Sequence, residues 1–140
     1  MTDIRGSNWR KWDLHIHTPA SYHWNGEKYR SNMNERQRNK LTMDVIEAIN
    51  KSDVSVFGIM DYWTLDGYIE IRRFLKANPT ITCNKTIFPG IELRVESPTK
   101  YRMNVHILLS DDLSDQQLYD FKSRLRIRDS KRNLSDEAII

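Results

Sequence analysis

Two nearly continuous apolar runs, at 54–60 and 105–109, constrain the fold of this chain more than any other sequence feature. Runs of this length without polar alternation are typical of strands buried on both faces, as in parallel sheets. Two further segments are also rich in apolar or β-branched residues, so four strands are predicted, at 12–18, 54–61, 86–92 and 103–110. Pro89 lies within the third of these, and it predicts a bulge or a strand end there because proline lacks a backbone N–H.

Helical patterns lie between and after these strands. The first apolar stripe falls within 41–49, with Thr42 as its predicted N-cap. The second falls within 65–75 and stops before a proline, and the third begins at Ser114 with a glutamine three residues on, the spacing of a capping box. This alternation of strands and helices predicts an α/β fold with parallel strands.

Composition limits the class of protein. Leu, Ile, Val and Phe make up about a quarter of the 140 residues, above the roughly 20% below which disorder is expected. The single cysteine, Cys83, excludes an internal disulfide framework and a multi-cysteine zinc site. No run approaches the ~20 apolar residues of a membrane span, and residues 1–13 lack a signal-peptide pattern. We therefore expect one reduced, cytoplasmic domain with no membrane partner.

Residues of metal-ligating type fall near the predicted carboxyl ends of the strands. As alternate residues of the first strand, His15 and His17 are expected to project to the same side. The candidate set contains all four histidines of the chain and two carboxylates: His15, His17, His23, Asp61, Glu92 and His106. Active sites of α/β sheets and barrels lie at this edge, and imidazole with carboxylate but without thiolate suits Zn²⁺, Mn²⁺ or Fe. A metal site is predicted here.

Four short motifs resemble, in order and spacing, those of the PHP superfamily, the polymerase and histidinol phosphatase domains. They are WDLHIHT at 12–18, GIMD at 58–61, PGIE at 89–92 and VHIL at 105–108, and the resemblance covers about residues 9–112. It implies a distorted (β/α)₇ barrel, of which about four strand–helix units are present. It also implies up to three divalent metal ions and the hydrolysis of phosphate esters.

The resemblance assigns roles residue by residue. It makes His15, His17, Glu92 and His106 metal ligands, and it matches His23 to a further histidine that follows the first motif. Asp61 would act in catalysis, either as a ligand or by orienting a ligand from behind.

The chain departs from the family at Tyr62, where many members carry a histidine ligand. Residues 61–68 look instead like the PHP segment at the start of large proteins that continue into an AAA- or SMC-like ATPase. The family's later ligands would lie beyond residue 140. We therefore expect 1–140 to be the N-terminal portion of a truncated PHP-like phosphoesterase domain that is a weak catalyst by itself. The alternative is an incomplete metal centre.

Three functions stay open at this point. The first is a phosphodiesterase or nuclease module linked covalently to an ATPase region, with nucleic acid as one candidate phosphate-ester substrate. The basic stretches 28–40 and 122–132 favour it, although a solvated basic helix is the simpler explanation of the second stretch. The second function is a small-molecule phosphomonoesterase similar to histidinol phosphatases, and the third is a non-catalytic PHP scaffold.

Overall fold

The computed structural model describes residues 8–127 and 131, and within them the chain is a mixed α/β protein. These residues form four strands in one curled, half-barrel sheet of order β1-β2-β3-β4, together with three helices. The elements are β1 (Trp12–Ile16), α1 (Glu35–Lys51), β2 (Val56–Tyr62), α2 (Asp66–Ala77), β3 (Thr86–Val95), β4 (Met103–Leu108) and α3 (Asp115–Arg124). The α/β class and the four predicted strands are confirmed.

The fourth strand runs in the direction opposite to the prediction. β1, β2 and β3 are parallel, whereas β4 is antiparallel to β3. The connection at 96–102 explains why, because a parallel crossover needs about a dozen residues or more and this link allows only a hairpin. The expectation of parallel strands alternating with helices throughout is therefore wrong at β4.

Pro89 neither bulges nor ends β3, contrary to the prediction. It pairs in register with Ile59 of β2, and β3 continues to Val95. Its carbonyl accepts a hydrogen bond from the Leu109 N–H at 2.8 Å, on the side of β4. The reciprocal bond cannot form because proline has no N–H, and β4 ends at Leu108. The proline thus ends the ladder between β3 and β4 rather than the strand.

The first helix begins earlier than predicted. Its N-cap is Asn34, which forms a capping box with Gln37. Thr42 is buried inside the helix, where its hydroxyl donates to the carbonyl of Arg38 at 3.0 Å. The prediction of Thr42 as the N-cap is wrong because the first turns of α1 are polar and carry no apolar stripe.

The other two predicted helices are confirmed. α2 ends at Ala77, before the proline, and α3 begins after Ser114, which forms the predicted capping box with Gln117. A further predicted helix start at Ser135 lies outside the described residues, as do 128–130 and 132 of the second basic stretch. Across the described part of the chain, no helix is long and apolar enough to cross a membrane.

All three helices pack on one face of the sheet. A single apolar cluster joins side chains from each helix to side chains of β2 and β3, including Ile46, Ile59, Ile71, Ile91 and Leu118. Because successive strand residues point to opposite faces, Ile59 and Asp61 lie on this helix-covered face and Tyr62 lies on the other. The opposite face is therefore the one that carries the histidine and glutamate side chains.

Candidate metal centre

The strand register brings the predicted ligands of β3 and β4 together. Glu92 of β3 pairs with Tyr62 of β2 on one side and with His106 of β4 on the other. Directly paired residues share a face of the sheet, so these three side chains stand together on the face without helices. His15 lies near the end of β1, within the register shift between Asp13 and Ile16.

Three potential ligand atoms converge most closely. His15 Nε2 lies 3.1 Å from Glu92 Oε2, and His17 Nε2 lies 3.2 Å from His15 Nε2. The remaining separation, from His17 Nε2 to Glu92 Oε2, is 3.4 Å. The prediction that the two imidazoles project to the same side is confirmed.

His106 lies close to the other oxygen of the Glu92 carboxylate. Its Nε2 lies 3.4 Å from Glu92 Oε1, and its ring centroid lies 4.2 Å from that of His15. One donor atom each from His15, Glu92 and His106 falls within a mutual distance of 4.8 Å. Two triads of potential ligands therefore share His15 and Glu92, with the carboxylate between them.

The residues fit a divalent ion by chemistry and by spacing. Neutral imidazole nitrogens and a carboxylate oxygen are the ligands that Zn²⁺ and similar ions take in catalytic sites. Three donors on one tetrahedral ion with bonds of about 2.0–2.1 Å lie about 3.3–3.4 Å apart. The separations of 3.1, 3.2 and 3.4 Å among His15, His17 and Glu92 are close to that spacing.

The ionisation of these groups also favours metal binding. Burial lowers the pKa of His17 against the opposing effect of Glu92, so its imidazole is neutral at pH 7. Burial alone would raise the pKa of Glu92, but hydrogen bonds from Tyr62 and the neighbouring imidazoles outweigh it and lower that pKa. A neutral imidazole and an ionised carboxylate are the forms that ligate metal.

Side chains behind the ligands hold them in place. Ser21 Oγ accepts from the Tyr62 N–H at 3.0 Å and lies 3.1 Å from His17 Nδ1. A His17 tautomer protonated at Nδ1 would donate to Ser21 and leave Nε2 free to ligate. Asn104 Nδ2 donates to Glu92 Oε1 at 2.9 Å, and the Tyr62 ring stacks on His17 with a centroid distance of 5.2 Å and an interplanar angle of 8°.

Sequence reasoning missed Ser21 and Asn104. Asn104 could have been found, because it lies two residues before His106 and so shares its face of the strand. Ser21 lies in a loop without periodicity, and nothing in its sequence context singles it out.

Asp61 lies apart from the converging atoms. Its carboxylate is fully buried and accepts two hydrogen bonds of 2.6 Å from Thr18, one from the N–H and one from the hydroxyl. Its nearest approach to the histidines is 4.0 Å, from Oδ1 to Nδ1 of His17. Burial raises the pKa of Asp61 to about 7. This position suits orientation of His17 rather than ligation, and a catalytic role for Asp61 stays a prediction.

The structure does not bring His23 into the cluster. Its ring contacts the Tyr62 ring edge-on, with centroids 5.0 Å apart. Together with His17 and Ser21 it lines a cavity of about 280 Å³ beside the cluster. Ligation by His23 stays a prediction.

No protein-family model matches this chain, and a search of curated proteins finds no match either.

Proposed function

We propose that the chain carries a metal-dependent centre for the hydrolysis of phosphate esters, of the phosphodiesterase or nuclease type. The observation that supports this most is the convergence of His15 Nε2, His17 Nε2 and Glu92 Oε2 within 3.4 Å of one another. Two neutral imidazole nitrogens and one carboxylate oxygen at these separations can ligate a single divalent ion.

Each residue has a definite part in this proposal. His15, His17 and Glu92 would hold one divalent ion, and His106 with the second Glu92 oxygen offers donors for another. A bound ion would supply Lewis-acid polarisation of a phosphoryl oxygen and a water acidic enough to act as nucleophile near neutral pH. Asn104 fixes the Glu92 carboxylate through its 2.9 Å hydrogen bond, and Ser21 orients His17.

The wider architecture belongs to the same proposal. The four-stranded, curled sheet with its ligands on the face without helices is compatible with part of a distorted (β/α)₇ barrel of the PHP type. A linked ATPase region, up to three metal ions and a cytoplasmic location complete the hypothesis that the motifs suggest. The antiparallel β4 departs from a regular (β/α) repeat, but its register keeps His106 opposite Glu92.

The test measures metal content and hydrolysis together. The full chain, purified with Zn²⁺ or Mn²⁺ and gel-filtered, is analysed for bound metal and assayed with bis(p-nitrophenyl) phosphate. We expect Glu92→Gln to lose most of the metal and about 100-fold or more in any hydrolysis, because one ligand charge is removed from the cluster. Glu47→Gln, a change of the same type on the exposed surface of α1, is the matched control and should change neither.

The outcomes separate the three candidate functions. Equal metal content in wild type and Glu92→Gln would refute the metal centre. Metal binding with faster cleavage of p-nitrophenyl phosphate than of the diester would favour a phosphomonoesterase. Metal binding without hydrolysis of either ester, at protein concentrations high enough to detect a weak catalyst, would favour a non-catalytic scaffold.

A further inference from the structure

A cavity of about 730 Å³ is lined by residues of the loop after β1 and of all three helices, and none of the converging ligand residues lines it. Its wall includes four cationic side chains, Lys28, Arg30, Arg38 and Lys122, and two carboxylates, Asp66 and Glu70. These come from the loop after β1, from α1, from α2 and from α3. The excess of cations over carboxylates favours an anionic ligand.

The carboxylates of this wall are already engaged. Glu70 accepts hydrogen bonds from Arg73 at 2.6 and 3.2 Å and lies 3.6 Å from Arg38. Asp66 lies 3.7 Å from the ammonium of Lys122. The same ion pairs engage Arg38 and Lys122, and Lys28 donates to the carbonyl of Tyr22 at 3.2 Å, so the exposed Arg30 contributes most to the excess of positive charge.

Three aromatic side chains line the same cavity, namely Tyr29, Trp63 and Tyr119. Tyr119 is 44% exposed, so part of its surface is available to a ligand. Trp63 has a φ of 67°, a left-handed conformation that is costly for a bulky residue and is found most often at functional sites. Cations interleaved with aromatic surface are what single-stranded nucleic acid binds, through its phosphates and its bases.

Two pairs of consecutive residues link the wall of the cavity to the metal-ligand cluster. Ala20 lines the cavity and Ser21 contacts His17, while Trp63 lines the cavity and Tyr62 stacks on His17. The Trp63 N–H also donates to the carbonyl of Glu92 at 3.1 Å. The loop after β1 and the segment that follows β2 therefore each contribute consecutive residues to the cavity wall and to the cluster.

We infer that this cavity is a subsite for one nucleotide of a single-stranded nucleic acid, on the same strand as the nucleotide whose phosphate lies at the metal-ligand cluster. Its volume falls in the range of about 300–1,000 Å³ that suits a ligand the size of a nucleotide. The cations contact the phosphate and the aromatic rings offer a surface for the base. The placement of one phosphate of the nucleic acid at the metal-ligand cluster rests on the proposed function, but binding of a nucleotide in the cavity does not.

The test measures binding in the absence of metal, so that it does not depend on hydrolysis. A fluorescently labelled oligo(dT) is titrated with the full chain in EDTA, and anisotropy is followed at several salt concentrations. We expect Arg30→Gln to weaken binding about tenfold, which corresponds to about 1.4 kcal/mol. The slope of log K against log salt should fall by about 0.7 for the lost phosphate contact.

The matched control is Lys100→Gln, an exposed cation outside the cavity, which should change neither quantity. Lys122→Gln provides a second cavity variant. It removes the Lys122 contacts with Thr64 and Asp66, and if their loss unfolds the protein, the test depends on Arg30→Gln alone.

Three results would overturn the inference. They are the absence of oligo(dT) binding, equal effects of Arg30→Gln and Lys100→Gln, and equally tight binding of a duplex of the same length. Hydrolysis of bis(p-nitrophenyl) phosphate that requires Glu92, together with any of these, would leave the metal centre standing and remove the subsite. Salt-dependent oligo(dT) binding that Arg30→Gln weakens, together with equal metal content in wild type and Glu92→Gln, would do the reverse.

Discussion

Replacement of Gly67 by alanine tests how Asp61 is held beneath the metal-ligand cluster. Gly67 lies in the first turn of α2, and a Cβ built on it would fall far inside 3.0 Å of both Asp61 Oδ2 and Thr18 Oγ1. Those two atoms share a buried hydrogen bond of 2.6 Å. A methyl group at this position must therefore move the helix or break that hydrogen bond.

The expected loss of stability follows from these contacts. Overpacking in a close-packed interior costs about 1–3 kcal/mol, and loss of a hydrogen bond to a buried group costs about the same. The higher helix propensity of alanine offsets up to about 1 kcal/mol of this destabilisation. We expect Gly67→Ala to lower the free energy of unfolding by about 3 kcal/mol, and the melting temperature of a chain of this size by about 10 °C.

Circular dichroism during thermal and urea unfolding, in EDTA, provides the measurement. Gly26→Ala is the matched control, because the atom nearest its added Cβ is the indole Nε1 of Trp24 at 2.7 Å, the end of a side chain that can move. In an Asp61→Ala background the cost of Gly67→Ala should shrink, since the carboxylate is gone and Thr18 is free to rotate. Equal stability of Gly67→Ala and wild type, or full additivity with Asp61→Ala, would refute the reasoning.

Two further predictions concern stability. Burial raises the pKa of Asp61 from 3.8 to about 7. The unfolded chain therefore loses this proton at a lower pH than the folded chain does. As a result, the free energy of unfolding falls as pH rises from about 4 to 7. Without metal, the free energy of unfolding of the wild type should fall by about 4 kcal/mol more than that of Asp61→Asn over this pH interval. Urea titrations in which the two free energies change in parallel with pH would contradict this. Asn34→Ala removes the capping box of α1 and should cost about 1 kcal/mol, whereas Arg36→Ala, an exposed change in the same turn, should cost less than half of that by the same urea assay.

Much of the fold could be predicted from the sequence because the apolar runs are long and the helix signals are local. The strand at 54–61, the stop of α2 and the capping box at Ser114 each depend on residues close in sequence. The direction of β4 depends instead on the length of the connection that precedes it. An apolar run predicts a buried strand but does not indicate the direction in which that strand runs. The start of α1 was missed because its polar first turns are stabilised by Asn34 rather than by an apolar face.

The candidate site divides in the same way. Alternation along a strand was enough to place His15 and His17 together, and the strand register then added Glu92 and His106. Asp61 differs because its neighbour Tyr62 takes the ligand-bearing face, which leaves Asp61 on the helix-covered face. Side-chain period alone could have predicted that separation once Glu92 was placed opposite Tyr62.

The β3–β4 hairpin has a consequence for the order in which the site forms. Glu92 and His106 are adjacent in a local hairpin, so this half of the site closes a short loop at low entropic cost. His15 is 77 residues away from Glu92 along the chain, and it joins only when β1 docks against β2 at one edge of the sheet that the described residues form. A metal held by both would tie β1, an outer strand that pairs with β2, directly to β3. Native-state hydrogen exchange should therefore show added metal protecting the amides of β1 far more than those of β4.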